Sequence, residues 1–455
     1  MKLFPIVLAA GQGTRMRSDL PKVLHPVAGK PMLQHVVDAC QSVGCEQLAV
    51  VYGHGGERVC SAVQGENIHW ALQAEQKGTG HAVAQAINQV AADDVVLVAY
   101  GDVPLIRPAT LQRLAEGLQD SVLTVLTTQL EQPFGYGRIV RDEQDRVRAI
   151  VEEKDADADT KRVQEVNTGF IAARGQDLKR WLEQLTPQNA QGEYYLTDCV
   201  ALAVAEGGAV NTVLCADPLE VEGANNRVQL ARLEREAQRR QVEALMLSGV
   251  SVADPARLDI RGEVTAGQDV FIDINVLLLG EVTLGNQVTI EPNCVLNNVS
   301  VGDGSHIKAN THIEDAVIAA NCDVGPFARI RPGTRLADGA KIGNFVETKK
   351  ALIGKGSKVN HLSYVGDTEM GDDVNIGAGT ITCNYDGVNK FKTTIGNRVF
   401  VGSGTQLVAP VTLNDDATIG AGSTISKTAP AGQLTLTRAK QMTIKGWQRP
   451  VKEKK

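Results

Sequence analysis

The chain has 455 residues and a formal net charge of -7, so two or three domains are expected and general nucleic-acid binding is disfavoured. Glycine is abundant at 45 residues and aromatics make up only 4%, which calls for cores of small and β-branched side chains joined by tight turns. Eight cysteines without a C-x-x-C pair indicate neither a zinc site nor a disulfide framework, and fit free thiols in a reducing cytoplasm.

The first element, "FPIVLA", is a continuous apolar run, as in a strand buried on both faces. It is too short for a signal peptide, and no apolar run in the chain approaches the roughly 20 residues that span a bilayer. The glycine loop "AAGQGTRM" follows. It lacks the Lys-Ser/Thr pair of a P-loop, because Thr14 and Arg15 follow Gly13, and it lacks the third glycine of a dinucleotide loop, because Met16 holds that slot. Pro31 then opens a helix with Met32, Leu33, Val36, Val37 and Cys40 on one stripe. "QLAVVYG" is a second strand. Thr79 opens a second helix with Ala82, Val83, Ala86, Ile87 and Val90 inward, and "VVLVAYGD" is a third strand. This alternation predicts a Rossmann-like, mainly parallel α/β sheet over residues 1–227, with ligands beyond the carboxyl ends of its strands.

Residues 228–248 lie in a stretch free of Gly and Pro and rich in Arg, Glu, Gln, Leu and Ala, which predicts one long charged helix from Arg227 to about Leu247, a linker between domains. From 249 to 455 a strict period of six appears. Val264, Val270, Val276, Val282 and Val288 begin it, and Ile395, Val401, Leu407, Leu413, Ile419 and Ile425 end it. This is the hexapeptide repeat of a parallel β-helix, in which the aliphatic side chain points inward and three six-residue faces make one coil. "TCNYDGVNKFKTT" interrupts the period between Ile381 and Ile395 and is expected to leave the coil as a loop.

The chemistry-bearing residues follow these elements. Backbone N–H groups in a glycine-rich turn surround phosphate oxygens, and Arg15 and Lys22 supply charge beside them. Asp102 ends the third strand, where a carboxylate can hold Mg²⁺. Each signal alone is weak, since a glycine loop is often only a turn and a strand-end Asp often caps a helix. In the repeat region Arg331 and Lys349 stand on successive coils and suit a phosphate, with His361 and Tyr364 nearby. A histidine beside a phosphate site can take a proton from an amine, although taken alone such a histidine is more often structural.

"LAAGQGTRM…PKVL", "EQKGTGHA", "YGDVPL", "GYGRI", "IVEEKD" and "NTG" resemble the sugar-nucleotide pyrophosphorylases. With the repeats behind them, through "KGWQRP" near the end, nearly the whole chain resembles the bacterial bifunctional N-acetylglucosamine-1-phosphate uridylyltransferase and glucosamine-1-phosphate acetyltransferase family. The resemblance implies a nucleotidyltransferase domain followed by a left-handed β-helix acetyltransferase domain. It implies that Leu8, Ala9, Ala10 and Gly11 line the uridine and phosphates of UTP, with Arg15 and Lys22 on the triphosphate as catalytic cations. Gln73, Gly78 and Thr79 would read uracil, Tyr100, Gly101 and Asp102 would meet ribose and metal, and Gly137, Glu152 and Asn167 would hold N-acetylglucosamine-1-phosphate. Asn225 would join Asp102 as a ligand of Mg²⁺. In the second domain Arg331, Lys349, Tyr364, Asn375 and Lys390 would bind glucosamine-1-phosphate, and His361 would be the base. Ala378, Asn384, Tyr385, Ser403, Ala421 and Arg438 would contact acetyl-CoA, which the basic tail with Lys440, Lys445, Arg449 and Lys452 could also approach. The resemblance implies that the product, UDP-N-acetylglucosamine, supplies cell-wall precursors and that the chain is a homotrimer; from the sequence itself, the chain is expected to be cytoplasmic and to engage neither nucleic acid nor membrane. Two other readings stay open from the sequence: a single-activity nucleotidyltransferase with a purely structural β-helix, and an interaction scaffold.

Overall fold

A computed structural model describes residues 2–53 and 55–452. It divides into two compact units, Met1–Gln238 and Arg239–Lys455.

In the first unit the strands, read across the sheet, are Val210–Leu214, Leu123–Gln129, Glu165–Arg174, Val95–Tyr100, Leu3–Ala9, Leu48–Tyr52 and Ile68–Leu72. Glu165–Arg174 runs antiparallel to both neighbours, and the other pairings along this path are parallel. A parallel sheet needs apolar cover on both faces, and the sequence supplies it. Ile6, Leu8, Val96 and Val98 point into one core with Val83, Ala86 and Trp181, whereas Val7, Ala9, Leu97 and Ala99 point into the other with Leu33, Val36 and Val37. The helix predicted from Pro31 spans Met32–Ser42 with Pro31 at its cap. The one opened by Thr79 spans Thr79–Ala86 and tightens into a 3-10 turn at Ile87–Gln89, so Val90 lies past its end.

The long helix runs from Arg227 to Leu247. The sequence boundary at residue 227 and the packing boundary at Gln238 differ for a clear reason: Leu230, Leu233 and Ala237 pack on Val27, Ala28, Met32 and Leu105 of the first unit. Glu234 reinforces this by accepting the Ala28 N–H at 2.6 Å.

The second unit is a parallel β-helix. Its strands stack coil on coil in register, as in Val295↔His312 and Glu347↔Tyr364↔Ile381. From Val270 to Ile425 the aliphatic residues of the six-residue period fill one continuous core, with Val264 partly buried at its margin. Corners are turned by residues at positive φ, including Asn298, Asp315, Lys350 and Asp367 on one edge. Equivalent residues recur 17 or 18 positions apart, and side-chain bonds such as Asn298 Nδ2 to Asp315 Oδ1 (3.0 Å) link successive coils. At the interruption the interval becomes 25, yet Asn375↔Phe400 and Ile376↔Val401 remain in register.

Candidate functional site

The loop after Leu3–Ala9 and the end of Val95–Tyr100 share one rim because those two strands are neighbours. Leu8, Ala9, Ala10, Gly11, Lys22, Gln73, Gly78, Thr79, Tyr100 and Asp102 line a cavity of about 300 Å³ there. Gly13 explains the loop's close fit. It lies at φ 62°, and a Cβ on it would stand 2.5 Å from Lys22 Cβ. The glycine thus allows the backbone to press against the stem of the lysine.

Lys22 Nζ donates to Asp102 Oδ2 at 2.5 Å and to Asn225 Oδ1 at 3.3 Å, and Arg15 donates to the same Asn225 oxygen at 2.9 Å. The two carboxylate and amide oxygens therefore face a common point that already accommodates positive charge. Gln73 donates to the Gly78 carbonyl at 3.1 Å and is paired with His81 Nδ1, so its amide orientation is fixed. Thr79 Oγ1 accepts the Leu196 N–H. Burial pushes the Tyr100 phenol above its ordinary range.

Gly137, Glu152 and Asn167 form a second cluster. Asn167 N donates to the Gly137 carbonyl at 2.9 Å, and a Cβ at Gly137 would come within 3.3 Å of both Glu152 carboxylate oxygens. Burial raises the Glu152 carboxyl above the ordinary range, and a bond from Thr197 Oγ1 at 3.1 Å works against that. The residues sequence reasoning missed here are Gln76, which donates to the Ala10 carbonyl at 2.5 Å, Glu193, which lines the cavity, and His81. Gln76 and His81 lie inside the motif "EQKGTGHA", whose letters gave no means of telling one role from another.

The β-helix carries a separate cluster of candidate residues. Arg331 Nη1 pairs with Glu347 at 2.7 Å. The Lys390 ammonium, brought by the excursion, lies beside Lys349 and holds it below the ordinary lysine range. Asn384 donates to Asp367 at 2.5 Å and reaches Tyr364 Oη at 3.5 Å, which anchors the start of the excursion. Tyr385 is exposed and bonds the Gly387 carbonyl. Asn375 stands on a different sheet face from Tyr364 and Lys349.

His361 is exposed at a coil corner, and its Nδ1 meets Asn344 Oδ1 at 2.8 Å. With that oxygen accepting, Nδ1 is the donor of this bond. Asn344 is the register partner of His361, and the same register carried forward places Ala378, Ser403 and Ala421 in one column. Gly402 presses on Ala421, since a Cβ there would stand 2.5 Å from Ala421 N. Arg438 lies near its end, with Nη2 2.9 Å from where a Cβ of Gly420, the residue before Ala421, would stand. Asn344 was legible in retrospect, one coil interval before His361. Lys440, Lys445, Arg449 and Lys452 lie in an exposed tail without helix or strand.

Residues 5–165 match the MobA-like NTP transferase domain, residues 260–347 the GMPPB C-terminal domain, and residues 392–427 the bacterial transferase hexapeptide family of six repeats. The "Bifunctional protein GlmU" of Marinobacter nauticus is 56% identical over 450 residues, covering 99% of each chain. The chain belongs to the GlmU family. The GlmU protein of Cellvibrio japonicus is likewise 56% identical, over 98% of this chain and 99% of its own. A solved structure of UDP-glucose pyrophosphorylase complexed with UDP-glucose covers 53% of this chain at 16% identity and a TM-score of 0.44. GlmU membership accounts for both halves: a nucleotidyltransferase with a mainly parallel sheet, and an acetyltransferase on a left-handed β-helix. It removes the scaffold and single-activity readings.

Proposed function

We propose that the two sites divide two consecutive reactions between them, and that the β-helix acts first. There, acetyl-CoA lies along the column Ala378, Ser403 and Ala421, with Arg438 at its phosphate end and Asn384 and Tyr385 beside it. Glucosamine-1-phosphate presents its phosphate to Arg331, Lys349 and Lys390 and its ring to Tyr364 and Asn375. A phosphate dianion relieves the repulsion between the adjacent Lys349 and Lys390 ammoniums, which supports their assignment. His361 Nε2 removes the amine proton as nitrogen attacks the thioester carbonyl, and CoA leaves as the thiol. The placement of His361 in register between Asn344 and Ala378 is the single observation that carries this reading. Asn375 stands on another face from the phosphate cations, and a neighbouring copy in a homotrimer would bring that face to them.

In the first unit the sugar phosphate is held at Gly137, Glu152 and Asn167. Its phosphate oxygen attacks the α-phosphorus of UTP in line, and pyrophosphate departs. Arg15 and Lys22 neutralise the triphosphate, while Gln73, Gly78 and Thr79 hold the base and Tyr100 and Gly101 the ribose. No protein nucleophile is needed. Asp102 and Asn225 would hold Mg²⁺, because their hard oxygen donors converge on one point, where Lys22 Nζ meets both. When bound, Mg²⁺ offsets charge on the phosphates. Among the described residues no group of three or more His, Cys, Asp or Glu could hold a metal, so any metal there relies on its substrate for the remaining ligands.

Eight free thiols and substrates of central metabolism support a cytoplasmic setting. No helix among the described residues is long and apolar enough to cross a membrane. A product assay tests the whole reading: with glucosamine-1-phosphate, acetyl-CoA, UTP and Mg²⁺, the chain yields UDP-N-acetylglucosamine. Accumulation of N-acetylglucosamine-1-phosphate alone would remove the uridylyl assignment.

A further inference from the structure

The loop that carries Arg15 and Lys22 consists of two short 3-10 turns, Thr14–Met16 and Lys22–Leu24. Neither is long enough to hold itself, and short 3-10 pieces draw their stability from what they touch. Each turn closes on a residue that faces the same partner. Arg227, the first residue of the long helix, donates Nε to the Met16 carbonyl at 3.3 Å and Nη1 to His25 Nδ1 at 3.3 Å. Met16 is the neighbour of Arg15, and His25 caps the turn that begins with Lys22.

We infer that Arg227 is a positioning residue for the uridylyl reaction: one guanidinium ties the ends of both turns and so fixes the separation of the two phosphate-binding cations. Only arginine has a planar fork that reaches two acceptors in fixed directions. His25 is suited to accept. It is buried, its Nε2 has no partner among the described residues, and burial followed by the Arg227 charge holds its pKa below the ordinary histidine range, which keeps the ring neutral. The same segment of chain carries Asn225, whose amide oxygen meets both Arg15 and Lys22. The beginning of the helix thus contacts the loop at four places: both cations and both turn ends. Gln229 holds Asn225 in turn, by accepting its N–H at 2.9 Å.

The inference rests on Arg15 and Lys22 as the triphosphate cations. The test measures KM for UTP, KM for N-acetylglucosamine-1-phosphate and kcat of uridylyl transfer on the full chain, beside acetyl transfer and melting temperature. The variants are Arg227→Met, Arg227→Lys, His25→Leu, His25→Asn and Arg15→Met. Arg227→Met should lower kcat/KM for UTP on the order of 10- to 100-fold, the scale of a small misplacement, with KM for the sugar phosphate and acetyl transfer unmoved. Arg227→Lys should fail to rescue it, because one ammonium cannot serve both acceptors. His25→Leu should shift KM for UTP in the same direction, and His25→Asn, which keeps an acceptor, should restore it. A folded Arg227→Met protein with a normal KM for UTP overturns the inference. So does a parallel rise of both KM values with a lowered melting temperature, which would mark general loosening. Should Arg227→Met not fold, the His25 pair decides: equal KM values for His25→Leu and His25→Asn overturn it. If Arg15→Met leaves KM for UTP unchanged, it is the assignment of the cations that falls.

Discussion

In the first unit one pocket draws on Leu8, Lys22, Gln73 and Asp102, and a bond from Lys22 extends it to Asn225. In the second unit the column from Asn344 through His361 to Ala421 takes a single position from successive coils. The first kind of site needs the whole unit folded before any part of it exists. The second is built by repetition, so each coil supplies its own residue and a lesion in one coil has limited reach. The comparison also separates two kinds of chemistry. On the proposed function, charge neutralisation spreads over several groups, whereas a general base concentrates its contribution in one imidazole.

That contrast can be broken by experiment. The largest effect is expected from His361→Ala: acetyl-transfer kcat should fall by about 100- to 10,000-fold, with acetyl-CoA affinity and uridylyl transfer retained. A parallel loss of CoA affinity or melting temperature would make the histidine structural. Asn344→Leu should give a weaker version of the same defect, because the ring loses the partner that sets its tautomer. Asp102→Asn should abolish most uridylyl transfer at low Mg²⁺ and leave acetyl transfer alone. A dose of Mg²⁺ that restores nothing, or a variant as active as the parent, would take Asp102 out of the metal site.

A smaller effect concerns where the first unit ends. A fragment stopping at Arg227 loses Leu230, Leu233 and Ala237, and a fully buried leucine such as Leu233 is worth about 1.5–3 kcal/mol. The fragment ending at Gln238 should therefore unfold at distinctly higher urea than the one ending at Arg227, and equal midpoints would return the boundary to 227.

The smallest effect is pH-dependent. His25 and His35 are both held below the ordinary histidine range, chiefly by burial. A depressed folded pKa means that the unfolded chain binds more protons, so their contribution is complete above about pH 6.5 and is lost as pH falls through the folded values. The melting temperature of the first unit should drop between pH 7 and 5. His35→Gln, which keeps a donor for the Val27 carbonyl, should flatten that drop.

The β-helix could be read from the sequence almost whole, because each core aliphatic reports its own coil and the six-residue spacing survives translation into structure. The α/β sheet was legible as alternating strands and helices, but its strand order was not, since nothing local records that Leu3–Ala9 lies between Val95–Tyr100 and Leu48–Tyr52. The loop cations and Asp102 announced themselves by residue type at a strand end. Gln76, His81 and Arg227 did not, because an amide, a ring and a helix-opening arginine acquire their roles only from partners far along the chain. Asn344 is the intermediate case, visible once the coil interval is known.

The excursion that delivers Lys390 leaves the β-helix after Ile381–Cys383 and rejoins it at Thr393–Ile395, with Asn375↔Phe400 and Ile376↔Val401 still paired. Its length is therefore mechanically uncoupled from the stack beneath it. Residues added to or removed from this arm alter how far the lysine extends without shifting any coil. The chain thus holds a part that evolution or an engineer can lengthen, shorten or exchange, while the column from Asn344 to Ala421 keeps its register.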